Sequence, residues 1–379
     1  MTDITAPWST RVLDTPVDNY SATSRAVLRV GGYSGSWDLV IDGGTIDWQA
    51  RRTPTISADL DIVWPDEQVR ALLDPRRQAL TIEVWAGYEY TDAVEDTQRM
   101  VTLRVDEAQI DHGQRTVHLR AFSDEVIALG YPVDSTISVA TTDTIVSEIQ
   151  ALVAGAYPGE SLTWVLGDGV QKTKRFTVAA TITPGEDRWQ FVQDWADSIG
   201  CWVWHDGNGT WRIDKQVTLP VGASVASLRT GKRGTVSSLV TTETRDGYAN
   251  QAMAIYEYTE GASSYRACHI AKPDPVQTPV AMATETYSFK PQNGAATASQ
   301  MLSRGLRRGH GVEVEATVYW WIRPDGLVTV MSPDGLLEQF IVDLVSFDLG
   351  SGTMRLTGQA PDPAIDRLVI TTTSTVSTL

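Results

Sequence analysis

Glu186-Asp187-Arg188-Trp189-Gln190-Phe191-Val192-Gln193-Asp194-Trp195-Ala196-Asp197-Ser198-Ile199-Gly200, then Cys201-Trp202-Val203-Trp204-His205-Asp206-Gly207-Asn208-Gly209-Thr210-Trp211-Arg212-Ile213-Asp214, is the stretch whose reading decides the fold. Trp189, Val192, Ala196 and Ile199 recur at helical spacing and predict one buried stripe, with Trp195 at its edge. Thr183 is the expected N-cap, Pro184 sits just inside the start, and Glu186 and Asp187 place negative charge in the first turn. Gly200 stops the helix as a residue that tolerates the left-handed conformation. The second half reads as a hairpin: Cys201–Trp204 out, a turn at Asp206-Gly207-Asn208-Gly209, and Thr210–Ile213 back. Helix and hairpin together form a unit able to bury several tryptophans.

Upstream, residues 1–23 carry Pro7, Pro16 and few apolar anchors, and read as an arm that docks on a neighbour. Residues 24–122 hold short strands with one helix at 65–73, the pattern of a closed or nearly closed barrel. At Asp124 the pattern changes. Thr142 or Asp143 caps a helix with Ile145, Ile149 and Leu152 on one face, and 123–214 reads as a small α+β domain. A Gly-, Ser- and Val-rich connector at 215–238 is expected to return to and complete the first barrel. Residues 239–370 read as a second strand-rich block with a helix at 295–308, an extended loop at 271–280 and a last hairpin across Gly350-Ser351-Gly352. Residues 371–379, rich in Thr and Ser, are expected to fray. The fold class is thus mainly β with α+β: two barrel domains flanking a small α+β domain.

The chain has 379 residues, 42% hydrophobic and 21% charged, which suits a globular protein of several domains. No stretch reaches the roughly 20 apolar residues of a membrane span, and the first residues lack the features of a signal peptide. The expectation is synthesis in the cytoplasm and no stable membrane insertion. Cys201 and Cys268 read as buried small hydrophobes of a reducing compartment. A net charge of −16 argues against gripping nucleic acid, which needs clustered Lys and Arg, but not against nucleic acid passing by.

The five histidines, His112, His118, His205, His269 and His310, show no metal-ligand spacing, so no metal and no cofactor is expected. His205-Asp206 could be an acid–base pair, but turn chemistry accounts better for Asp206. There is no nucleophile elbow and no phosphate loop, so no catalytic residue is assigned. Most of the thirteen tryptophans fall at core positions. Trp320-Trp321 is different: neighbours on a strand face opposite sides, so one of the two should leave its core and becomes an interface candidate. Arg304, Arg307 and Arg308 cluster on the 295–308 helix. Their first reading is a solvated face favourable to the helix dipole, and their second an inter-subunit contact with an acidic neighbour.

The helix "W-x-F-V-x-x-W-A-x-x-I-G" at 189–200, the aromatic strand after it and the "D-G-N-G-x-W-R-I" return resemble the middle domain of phage baseplate hub and tail-tip proteins. Arg323-Pro324-Asp325-Gly326-Leu327-Val328-Thr329-Val330 resembles that family's Pro-Gly-Asp strand, with the turn order changed, and 345–356 resembles its closing ladder. The resemblance implies a non-enzymatic virion component of the tail tip: a homotrimer whose paired barrels make a pseudo-six-fold ring, adapt six-fold to three-fold symmetry and let DNA pass. Implied partners are a tail-tube or distal-tail ring above, tip, spike or receptor-binding proteins below, and the tape-measure protein. The alternatives are a glycan-binding adhesin of the host surface and a tail-associated cell-wall hydrolase.

Overall fold

The computed structural model describes residues 12, 19–360 and 369–378, apart from 77–78, 93–94, 178, 217–222, 232–233, 245–247, 275–280, 288–289, 292 and 308–309. Most of the arm expected at 1–23 therefore lies outside the described residues, although Val12 is buried in the main core.

In chain order the first strands are β1 (Tyr20–Val30), β2 (Ser36–Leu39), β3 (Ile41–Gln49) and β4 (Ile56–Val63). Helix α1 (Glu67–Leu72) precedes β5 (Leu80–Tyr90), β6 (Glu95–Asp111) and β7 (Thr116–Phe122). The middle of the chain forms α2 (Glu125–Gly130), β8 (Ile137–Val139), α3 (Ile145–Ala154), β9 (Thr163–Leu166), β10 (Ala180–Ile182), α4 (Arg188–Ser198), β11 (Cys201–His205) and β12 (Thr210–Lys215). Then come β13 (Ala226–Arg229), β14 (Val236–Glu243), β15 (Gln251–Glu260), β16 (Ser263–Asp274), β17 (Met282–Tyr287) and α5 (Gly294–Arg307). The last strands are β18 (His310–Thr317), β19 (Leu327–Met331), β20 (Leu337–Asp348), β21 (Thr353–Gln359) and β22 (Val369–Thr378).

The chain is mostly β, as expected, but its strands are distributed differently. Thirteen of them form one sheet in the order β14-β18-β21-β20-β3-β4-β7-β6-β5-β1-β2, with β19 on β20 and β13 on β19. The two halves join where β20 pairs with β3, from Leu344 opposite Gln49 to Asp348 opposite Thr45. Among the described residues no pairing closes either half into a barrel. In β4 the alternation leaves Ile56, Ala58, Leu60 and Ile62 buried on one face, and strands of both halves contribute to one continuous core. Trp48, Phe347 and Trp320 are buried in that core, which draws on both ends of the sequence.

Several boundaries move. The return segment at 215–238 does not complete the first strand set: β13 pairs with β19 and β14 with β18, both in the second half. The block at 239–370 splits, because β15, β16 and β17 leave the large sheet for a four-stranded sheet, β17-β15-β16-β22, covered by α5. Residues 371–379 do not fray as a unit: β22 pairs with β16 from Val369 opposite Asp274 to Thr378 opposite Tyr265. A Thr-rich run is a good strand former once a partner edge exists. Of the loop expected at 271–280, residues 271–274 are strand instead, since β16 runs to Asp274, and 275–280 lie outside the described residues. Strand β1 likewise starts at Tyr20, inside the expected arm.

The α+β segment has its own core, built from residues 128–213 and including Ile149, Trp189, Val192, Trp195 and Trp211. Helix α4 starts at Arg188 rather than after Thr183, because Asp187 is the cap and its Oδ1 accepts from Trp189 N and Gln190 N. Pro184 and Gly185 form a turn before it, with Glu186 N donating to Thr183 O. The cap of α3 is Thr144, while Asp143 turns back to accept from Ala140 N. Gly200 has φ +72° at the end of α4, as expected of a stop residue.

Candidate functional site

Beside the Ser123–Ile56 and Asp124–Arg104 contacts at its start, the α+β unit meets the rest of the chain at two places on the helix–hairpin stretch. The first is the hairpin itself. All five residues of β11 are buried, because they alternate between two cores: Cys201 and Val203 face the α+β core, Trp202 and Trp204 the large-sheet core. The Trp202 and Trp204 rings stack at 5.1 Å, and Trp204 meets Trp48 edge-on at 6.1 Å. The turn then plugs into the large sheet. Asp206 Oδ1 accepts from Asn208 N and Thr210 N, which shapes the turn. Gly207 O accepts from Thr102 N, and Asn208 Nδ2 donates to Met100 O. Met100 is the residue left over by the bulge opposite Val84 and Trp85, so its carbonyl is open to an outside donor. Gly207 has φ +69°, and a Cβ there would lie 3.0 Å from Ile56 Cδ1 and 3.1 Å from Val101 Cγ1.

His205 is spent on contacts within the α+β unit, to α2 and to the turn. It is buried, its N donates to Glu125 Oε1, its Nδ1 accepts from Gly207 N at 3.3 Å, and its Nε2 lies 3.7 Å from Asp124 Oδ2. Asp206 turns its carboxylate to the turn amides, away from any shared proton with His205.

The second meeting place is a polar junction between α4, the β3–β4 turn, β17 and α5. Thr53 Oγ1 accepts from Trp189 Nε1 at 3.0 Å and from Gln193 Nε2 at 3.1 Å. Arg304 of α5 reaches Asp197 Oδ1 at 2.9 Å and Gln216 Oε1 at 2.8 Å, and Gln216 Nε2 in turn donates to Cys201 O. A cavity of about 230 Å³ lies between these groups, lined among others by Asp194, Asp197, Glu285, Tyr287 and Arg304. An adjoining cleft of about 440 Å³ is lined by Arg51, Arg52, Arg304, Asp343, Gln49 and Gln359. Burial, reinforced by Asp197, Glu285 and Asp187, pushes the Asp194 carboxyl up to about 7. Burial also raises Asp197, and the Arg304 charge opposes that rise. Such a junction can hold two parts of a chain together and can respond to protons. It presents no nucleophile–base pair.

Comparison with solved structures places this architecture. A tail protein from Neisseria meningitidis MC58 matches over 89% of this chain and 96% of its own, with TM-score 0.63 and 18% identity. The prophage MuSo2 43 kDa tail protein from Shewanella oneidensis matches over 90% and 99%, with TM-score 0.59 and 13% identity. The chain has the phage tail-protein fold. Prophage tail protein gp18 from Listeria monocytogenes EGD-e matches over 90% and 96%, with TM-score 0.53 and 9% identity. No protein-family model and no curated protein sequence matches.

Within this tail-protein fold the interface candidates fall as follows. Trp320 and Trp321 are both buried, so neither leaves the core. They lie in the turn after β18 rather than on a strand, and the opposite-faces rule does not apply to them. Trp320 Nε1 donates to Gly87 O and Trp321 Nε1 to Val225 O, tying the turn to both halves of the fold. Arg304 pairs within the chain, as described. Arg307 ends α5, and Arg308 lies outside the described residues. Cys201 is buried and Cys268 half-buried, and both are free thiols. Among the described residues no group of three or more His, Cys, Asp or Glu is placed to hold a metal, and no helix is long and apolar enough to cross a membrane. The docking role of the Asp-Gly-Asn-Gly turn went unread in the sequence. Its only local sign was that a turn of such ordinary chemistry lies between strands so rich in tryptophan.

Proposed function

We propose that this chain is a structural hub protein of a phage tail tip or baseplate: a homotrimer that continues the tail tube, adapts six-fold to three-fold symmetry and lets DNA pass. One observation carries the reading. The likeness to tail proteins spans about nine-tenths of this chain and nearly the whole of theirs, so it reaches the complete arrangement rather than one shared module. In this reading β1–β7 and β13–β22 supply two tube-like units to the ring, and the α+β unit at 123–214 flares outward. The ring sits in the virion tail. A tail-tube or distal-tail ring lies above it, tip, spike or receptor-binding proteins lie below, and the tape-measure protein is a neighbour. The net charge of −16 suits a wall that repels phosphate.

The role is assembly rather than catalysis, supported by the use of His205 and Asp206 in shaping the hairpin and holding it to α2. The adhesin reading needs exposed tryptophan, and among the described residues no tryptophan is exposed. Sedimentation of the purified chain over a concentration series tests the proposal. A species of three times 41.5 kDa is expected. A monomer at every concentration would overturn the self-assembled ring.

A further inference from the structure

The α+β unit is fastened to the four-stranded layer in an unusual way. Among the described residues, its core and the Ala-rich core beneath α5 form separate clusters that share no residue. What joins them is polar: Arg304 against Asp197 and Gln216, and Gly200 closed against the Gln300 side chain. Around the cavity lie three carboxylates, Asp194 and Asp197 of α4 and Glu285 of β17, of which Asp197 holds the Arg304 guanidinium. Asp194 has neither a hydrogen-bond nor an ion-pair partner among the described residues.

We propose that the joint between α4, β17 and α5 is a proton-operated latch, which holds the α+β unit on the four-stranded layer while Asp194 is protonated and loosens when Asp194 ionises. The groups facing Asp194 set the sign. On its own helix are Asp187 and Asp197. β17 contributes Glu285 and Tyr287, whose hydroxyl donates to Glu285 Oε2. β15 contributes Tyr256, whose own phenol is raised by burial and by Asp194, Asp197 and Glu285. α5 supplies Arg304, already held by Asp197 and Gln216. Arg51 and Arg52 line the cavity from the β3–β4 turn, with Arg51 paired to Asp325 at 3.0 Å, and neither pairs with Asp194. Cys201 closes the floor with a thiol pushed up to about 12 by burial, so it stays neutral. Ionising Asp194 therefore adds a charge whose nearest electrostatic neighbours are carboxylates, in a place only partly open to water.

The linkage follows. In the closed joint the carboxyl titrates at about 7, against the ordinary 3.8. Between those values the closed state holds a proton that the open state does not, so the closed state is favoured in acid and loses that advantage as pH rises through about 7. With those two values the opening constant rises about tenfold between pH 6 and pH 8.

Hydrogen exchange of the full chain between pH 5 and pH 8.5, corrected for the intrinsic exchange rate, tests this directly. Amides of α4, α5 and β17 should open about tenfold more often at pH 8 than at pH 6. Asp194→Asn should stay closed and flat across the range. Glu285→Gln, at an exposed position, should keep the transition and move its midpoint to lower pH. A flat wild-type profile, an unchanged slope in Asp194→Asn, or an unmoved midpoint in Glu285→Gln would each overturn the latch. The readout concerns this joint alone, so it stands or falls independently of the mass that tests the trimeric ring.

Discussion

Arg323 shows how a single residue can anchor a fold with so acidic a composition. Its guanidinium lies 4.2 Å from the centre of the Trp48 ring and 5.9 Å from that of Phe347. It donates to the carbonyls of Trp320 and Ile322, while its Nε is buried without a hydrogen-bond partner. Burial lowers it to about 9, still charged at neutral pH. Replacing Arg323 by Ala would leave two carbonyls unanswered and a void over Trp48, and should cost ~2–4 kcal/mol in denaturant melts. Gly207 is the second such residue. Gly207→Ala combines a left-handed backbone with contacts to Ile56 and Val101 that cannot relax easily, so ~2–4 kcal/mol is expected. The loss should be local: tryptophan fluorescence should shift to the red as Trp202 and Trp204 are uncovered, before the large sheet melts.

At the scale of elements, α4 decides how the α+β unit holds together. Its stripe includes Trp195, which is as buried as Trp189 and packs edge-on against Phe176 at 4.9 Å and Phe191 at 6.0 Å. The reading that placed Trp195 at the edge followed the helix alone, and Phe176 arrives from a loop 19 positions upstream. Trp189→Ala and Trp195→Ala should therefore each cost about 3–5 kcal/mol, with no large difference between them. Equilibrium unfolding of both variants checks this, and a Trp195→Ala chain as stable as wild type would contradict it. The unit also carries the mark of its neighbour. Trp202 and Trp204 belong to the other core, so an excised 123–214 fragment should fold cooperatively yet bind an apolar dye. Polar substitutions at those two positions should abolish the dye binding without unfolding the fragment.

For the whole molecule the governing quantity is charge. If three copies bring a net −16 each around one axis, like charges converge on the lumen, and assembly works against that repulsion. Arg304 is committed within its own chain, which leaves fewer cations to hold copies together. Raising salt should then tighten the trimer several-fold, because screening weakens the lumenal repulsion more than it weakens buried contacts. Sedimentation across a salt series checks the sign. A trimer that dissociates as salt rises would show that ion pairs between copies dominate.

Local patterning by itself determined the helix–hairpin unit, the largely β character of the flanks and the stop at Gly200. These features rest on contacts between residues near in sequence, where periodicity and turn chemistry are legible. Only the tertiary structure decided which strands share a sheet. The pairing of β20 with β3 joins residues about 300 positions apart, and β22 becomes a strand because β16 offers it an edge. Trp320 and Trp321 are both buried for the same reason, since their acceptors, Gly87 O of β5 and Val225 O just before β13, are distant in the chain. The junction around Asp194 was equally unreadable. An Asp on a helix is ordinary in sequence, and it becomes a proton-responsive group only when β17 and α5 fold over it and exclude the water that would have solvated its charge.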